Sequence, residues 1–162
     1  SAGIVQQVDT PQVLYDTPCN LFVAGFIGSP QMNFADAVCE IKGDKVTLNL
    51  GKHKIELSEA KAKKLIAGGY NGKTVVLGIR PEDVHDEPEF LAASPNTVIE
   101  AKIRVYEMLG AEVFLYFDNA GASMTARVEP RTTARTGDTV KFALDANKIH
   151  VFDKETELAI TN

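Results

Sequence analysis

Asn20 to Phe34 reads N-L-F-V-A-G-F-I-G-S-P-Q-M-N-F, and the reading of this stretch decides how the rest is organised. An apolar run stops at Gly28-Ser29-Pro30 and resumes with Met32 and Phe34. Leu21, Phe22, Ala24, Gly25 and Phe26 leave no polar face at helical spacing, so the pattern predicts a short helix packed on nearly all sides. Gly28 suits a helix C-cap, and Pro30 cannot continue a helix because it lacks an N–H. The expectation is a buried connector: a short helix, a stop, then an extended segment.

Upstream, Gly3 to Val8 reads as a short strand. Thr10-Pro11 opens a helix, with Thr10 as cap and Pro11 at the first helical position. Asp16-Thr17-Pro18 ends it. Ser1-Ala2 precede Gly3-Ile4-Val5 without an initiator Met, so the chain is expected to be a piece of a longer protein with a cloning remnant at its start.

Downstream the character changes to short strands. Phe34–Ile41 and Lys45–Leu50 flank Lys42-Gly43-Asp44, a tight-turn sequence, and His53–Leu57 alternates after Gly51. Ser58 caps a predicted helix, S-E-A-K-A-K-K-L-I-A, with Lys61, Lys63 and Lys64 on its wet face and Gly68-Gly69 as its stop. Lys73–Ile79 is a β-prone strand that Pro81 must break. Glu87–Pro95 is a Pro-bounded link. Five further strands follow, at Thr97–Leu109, Ala111–Phe117, Ala122–Val128, Thr139–Leu144 and Lys148–Phe152. Their spacing predicts a small barrel of the oligonucleotide/oligosaccharide-binding (OB) type, with a less complete sister lobe in the first half.

Net charge is −5 with a pI near 5.2, which excludes a non-specific nucleic-acid binder. The surplus sits in Glu82, Asp83, Asp86, Glu87 and Glu89, read as a solvated loop. Cys19 and Cys39 are isolated thiols without metal-ligand spacing. No apolar run approaches the length of a membrane span.

One stretch imitates a nucleotide site. Ala67-Gly-Gly-Tyr-Asn-Gly-Lys73-Thr74 fits a relaxed phosphate-loop pattern. A phosphate loop leaves a strand and opens a helix, whose amides hold the phosphates. Here a helix precedes and a strand follows, so the amides should enter a sheet ladder. No Leu-Ser-Gly-Gly-Gln segment and no apolar run ending in Asp-Glu accompanies it. His53, His85 and His150 are far apart; His53 and His150 read as surface or edge residues, and Ser123, in a turn, lacks a G-x-S-x-G frame. Catalytic, cofactor-binding and metal-binding residues are therefore expected to be absent. Gly78-Ile79-Arg80-Pro81-Glu82-Asp83 is the most informative remaining stretch, with Arg80 expected to pair with Glu82 or Asp83 across a rigid turn, or to form a partner surface.

Three phrases carry a family resemblance. F-V-A-G-F-I-G-S-P-x-M-N-F (22–34), with Gly-Ile-Val-Gln-Gln-Val-x-Thr-Pro ahead of it, resembles the ATPase subunits of bacterial sugar importers of the maltose and multiple-sugar (MalK/MsmK) type. L-G-I-R-P-E (77–82) and Y-E-M-L-G-A-E-V-F-L-Y-F (106–117) are similar to hallmarks of that family's C-terminal regulatory (TOBE/OB) domain. Asp9 stands where the family has Gly, and Cys19 where it has Ala. The resemblance implies a mainly β regulatory domain over 33–162, with lobes of roughly 33–90 and 91–162. Residues 1–32 would be the tail of the ATPase domain and a helical junction. It implies a role in carbohydrate import, with ATP and Mg bound only in an N-terminal domain outside this chain. It further implies contact with a second copy, with the transporter's membrane subunits through the parent chain, and with a cytosolic regulatory protein, on the inner face of the membrane. Gly28, Ser29, Met32 and Phe34 at the junction, with Arg80, Glu82 and Asp83 at the turn, are the expected interdomain and partner residues. The alternative is a module that senses a small oxyanion or sugar.

Overall fold

The computed structural model describes residues 7–162. The expected strand Gly3–Val8 lies mostly outside them, and Gln7 and Val8 form no strand. Helix α1 (Pro11–Asp16) starts as the sequence dictates: Thr10 Oγ1 accepts from the Val13 amide at 3.3 Å. Helix α2 (Leu21–Phe26) is capped by Asn20, whose Oδ1 accepts from the Val23 amide at 2.9 Å. It is not packed on all sides as expected. Only Val23 and Ala24 are buried, while Phe22 and Phe26 are 52% and 73% exposed and stack on each other at 5.9 Å. A helix of under two turns rests on its neighbours along one stripe, and the described chain offers its other apolar face no partner.

Strands β1 (Asn33–Lys42) and β2 (Lys45–Leu50) form the expected hairpin, with Gly43 at φ +64 supplying the left-handed turn residue. After β3 (His53–Glu56) comes α3 (Glu59–Ala67), whose Ser58 makes no side-chain cap bond. Lys61 is not on a wet face: it is buried, beside Asp145 and Lys148. Helix α3 leads into β4 (Thr74–Ile79) through the phosphate-loop imitation. Its amides are consumed as expected, Gly72 N donating to Cys39 O and Lys73 N to Tyr70 O.

The acidic stretch is not a solvated loop. It forms a 3-10 turn (Pro81–Asp83), β5 (Val84–His85) and the start of α4 (Pro88–Ala93). Glu87 bonds His85, and Asp86 accepts from the Thr132 hydroxyl. Strands β6 (Val98–Leu109) and β7 (Glu112–Asn119) turn back at Gly110, and β8 (Ala122–Val128) and β9 (Thr139–Leu144) follow. Ser123 lies in β8 rather than in a turn, and accepts from Arg104. The chain closes with β10 (His150–Asp153) and β11 (Ala159–Thr161), the latter without a sequence expectation.

Two sheets result, in the orders β11-β10-β4-β1-β2-β3 and β5-β9-β6-β7-β8. Edge strands β5 and β8 meet, so the second sheet nearly closes into an OB-like barrel. Sheet membership does not divide at residue 90. β10 and β11 cross into the first sheet, and β5 joins the second. The reason lies in β4, buried at every residue after Thr74, which needs a partner on each side and takes β1 and β10. One apolar core fills both lobes, with Phe117 and Phe142 stacked at 4.7 Å. Side chains also join the sheets by imitating backbone. Asn33 donates to Thr125 O (2.8 Å) and accepts from Thr125 N (2.7 Å), and His53 Nε2 accepts from Glu100 N (3.1 Å).

Candidate functional site at the junction seam

The site is assembled where β4 runs out. Arg80 follows its last residue in extended conformation and is the largest fully buried side chain, 2% exposed. Its Nη1 donates to Ile27 O at 2.7 Å and its Nη2 to Tyr15 O at 2.9 Å. Those carbonyls belong to the C-terminal ends of α2 and α1, where the helix dipole favours a cation. The guanidinium also lies 3.8 Å from the Tyr15 ring centroid, a cation–π contact. One side chain thus ties both junction helices to the sheet.

Arg80 does not pair with Glu82 or Asp83 as expected; no ion pair within 4 Å joins them among the described residues. The fork is spent on the helix ends, and the turn is closed by backbone instead, Asp83 N donating to Arg80 O at 2.9 Å. Gly28 makes this possible. Its φ of +100 suits glycine, and a Cβ there would stand 2.8 Å from Arg80 Nη1 and 3.4 Å from the Tyr15 ring. Met32 packs with Ala24, Val76 and Phe152 in a small cluster under α2, against Gly78 of β4, where a Cβ would lie 2.7 Å from its sulfur. Phe34 meets Phe152 edge-on at 6.0 Å and lies against Gly25. Ser29 is exposed, before the cis-Pro30 bond. Gly28, Met32, Phe34 and Arg80 therefore share one seam, and Met32 and Arg80 act inside it because neither is open to a partner. Asp83 lines the same cleft as Arg80, and Glu82 precedes it in the 3-10 turn.

The electrostatics of the seam follow from burial. Desolvation lowers the Arg80 pKa, with Asp83 and Asp16 opposing it. Asp83 is pushed up to about 6, first by burial and then by the charges of Glu82 and Asp145, against Lys148 and His85. His150 is a correction: it is 6% exposed, in the interior of the first sheet rather than at its surface or edge. Burial holds its pKa down to about 4, so the ring is neutral, with Nδ1 on Asn162 Oδ1 at 2.9 Å. Asp83, His85 and Asp145 also bring three ligand-type atoms within 4.8 Å of one another. Sequence spacing missed this group because Asp145 arrives from the far end of β9.

Behind Arg80 opens a cleft of about 470 Å³. Gln12, Tyr15 and Asp16 of α1 form one wall. Asp83, Asn147 and Lys148 form the other, with His150 and Asn162 completing the lining. No local motif announces it; it exists only because α1 lies across the end of the first sheet.

Comparison with known proteins places this architecture. Residues 28–84 match the MalK OB fold domain and residues 77–152 the TOBE domain. The oligosaccharides import ATP-binding protein MsmX of Bacillus subtilis is 43% identical over 161 residues, covering 98% of this chain and 42% of the relative. The multiple sugar-binding transport ATP-binding protein MsmK of Streptococcus mutans is 40% identical, covering 98% and 41%. An osmoprotective compounds uptake ATP-binding protein, GgtA of Synechocystis, is 38% identical, covering 98% and 42%. The chain thus spans about two fifths of the length of these curated relatives. Among solved structures, the cytoplasmic molybdate-binding protein ModG aligns with a TM-score of 0.54 at 13% identity, covering 77% of this chain and 96% of that one. At that identity the likeness is one of fold alone.

Proposed function

The chain belongs to the MalK-type OB/TOBE regulatory domains of sugar-import ABC transporter ATP-binding subunits, and on that premise we propose that it orients the subunit's nucleotide-binding part and pairs the subunit with a second copy. In this reading the longer protein hydrolyses ATP with Mg in a domain outside these residues. It imports a carbohydrate while held by membrane subunits on the cytoplasmic face, and it is open to control by a cytosolic protein. In this reading the ATPase chemistry lies wholly in that other domain.

The observation that carries the reading is the form of the junction. Val13, Phe22 and Phe26 expose apolar surface on α1 and α2, and Leu158 adds to it. Phe22 and Phe26 stack into one exposed aromatic patch, exposure of the kind that marks an interface, and Arg80 fixes the helix that bears it together with α1. A rigid, apolar-faced junction is what an adjoining domain needs if its orientation is to be set by this one.

The test uses the full-length protein in its transporter. Arg80→Ala should leave ATP binding intact while lowering sugar-stimulated ATP hydrolysis and uptake together. Unchanged transport and subunit pairing would remove Arg80 from the proposal. Phe22→Ser/Phe26→Ser should weaken contact between the two parts, read as faster proteolysis of the linker region.

A further inference from the structure

We propose that the cleft behind Arg80 binds a small neutral polyhydroxylated molecule of monosaccharide or disaccharide size. The inference goes beyond the regulatory reading and does not depend on it. Its volume of about 470 Å³ lies within the roughly 300–1,000 Å³ typical of small-molecule sites.

The lining chooses among ligand classes. A carboxylate or phosphate is best held by a free guanidinium fork, and the only arginine here points its terminal nitrogens at Ile27 O and Tyr15 O, while its unpartnered Nε is itself buried. Asp16 and Asp83 face the same space and repel an anion. Lys148 is the one remaining cation, a single point charge balanced by those acids. An organic cation would meet Lys148 in turn. What is left is a set of separate single-point partners. The Asp83 carboxylate, the Asn147 amide and the Lys148 ammonium make no hydrogen bond or ion pair within 4 Å among the described residues. His150 is nine-tenths buried and neutral. With Nδ1 on Asn162 its other ring nitrogen is left as an acceptor, with no partner among the described residues. Dispersed donors and acceptors without net charge match hydroxyl groups, each of which can donate once and accept twice.

The position gives the site a consequence. One wall is α1 and the other the barrel turn, so a bound molecule bridges the two parts that Arg80 joins. Occupancy shifts the junction only if affinity differs between its arrangements.

The experiment titrates the 162-residue chain with glucose and maltose, and separately with glucose 6-phosphate, inorganic phosphate and molybdate. Amide chemical shifts and heat are followed together. Saturable shifts of residues 12–16, 80–83 and 147–150 by a neutral sugar, with a Kd of about 1 mM, are expected for so polar a site. Asn147→Ala and Lys148→Ala are exposed positions, and each should weaken binding about 10-fold at unchanged melting temperature. Shifts mapping elsewhere, or no saturation by either sugar, would overturn the proposal. Tighter binding of phosphate or molybdate than of either sugar would overturn it in favour of an oxyanion site. None of these outcomes touches the regulatory reading, which is judged on transport by the full-length protein.

Discussion

The core between the sheets and the seam under the helices are built on opposite principles. In the core, Phe117, Phe142 and the aliphatic residues around them are fully buried and apolar, and stability is spread over many contacts that are individually small. At the seam, one buried cation holds two carbonyls and a ring, and neutral His150 and partly protonated Asp83 stand close by. A dispersed interaction gives the chain its fold. A directional one gives two small helices, which could not hold themselves in place, a fixed angle. Helices of six residues are too short to be stable alone.

The contrast can be broken at the core first. Phe142→Ala should cost about 3–5 kcal/mol, seen as a lower denaturation midpoint for the whole chain. Arg80→Ala should cost less, about 2–3 kcal/mol, since charged hydrogen bonds are lost but a desolvated charge goes too. Its mark is locality: amide exchange in α1 and α2 should accelerate while β7 stays protected. Should β7 lose protection equally, the seam is part of the core and the contrast fails. Gly28→Ala should cost about 1–2 kcal/mol through its positive φ and the approach of Arg80.

Asp83→Asn sharpens the electrostatic side. A carboxyl raised to about 6 in the folded chain contributes stability that is complete below the ordinary carboxyl range and lost as pH rises through 6. Asp83→Asn should therefore be more stable than the parent at pH 7 by about 1–2 kcal/mol, and the difference should vanish near pH 4. His150, held down to about 4, works in the other direction, its contribution being complete above pH 6.5 and lost toward pH 4. The Asp83→Asn chain should accordingly lose stability steadily between pH 6.5 and 4, where the parent changes less. The smallest effect belongs to the exposed face: Phe22→Ser in the isolated chain should move stability by less than about 0.5 kcal/mol.

Much of this was legible in the residues. Thr10-Pro11, Gly43-Asp44 and Gly110 specify their cap and turns by local backbone chemistry, and β6 to β9 declare themselves by alternation and β-propensity. The phosphate-loop imitation could be dismissed from element order alone. Lys61 and His150 misled because a polar side chain states nothing about burial until its neighbours are known. The acidic stretch misled for the same reason, since Thr132 and Asp145 come from elsewhere in the chain. Phe22 and Phe26 misled in reverse: apolar residues on every side of a helix mean burial only where there is something to bury them against.

What the sequence determined by itself is therefore the set of short elements, the mainly β class and the family. All of these rest on interactions within a few residues or on matching phrases. Only the tertiary structure decided that β10 and β11 complete the first sheet, that Arg80 reaches back to α1 and α2, and that a polar cleft opens beside it. Each of these joins groups far apart in the chain. Such pairings are chosen by competition among all the strands and cavities the chain can form, and no local pattern records the outcome.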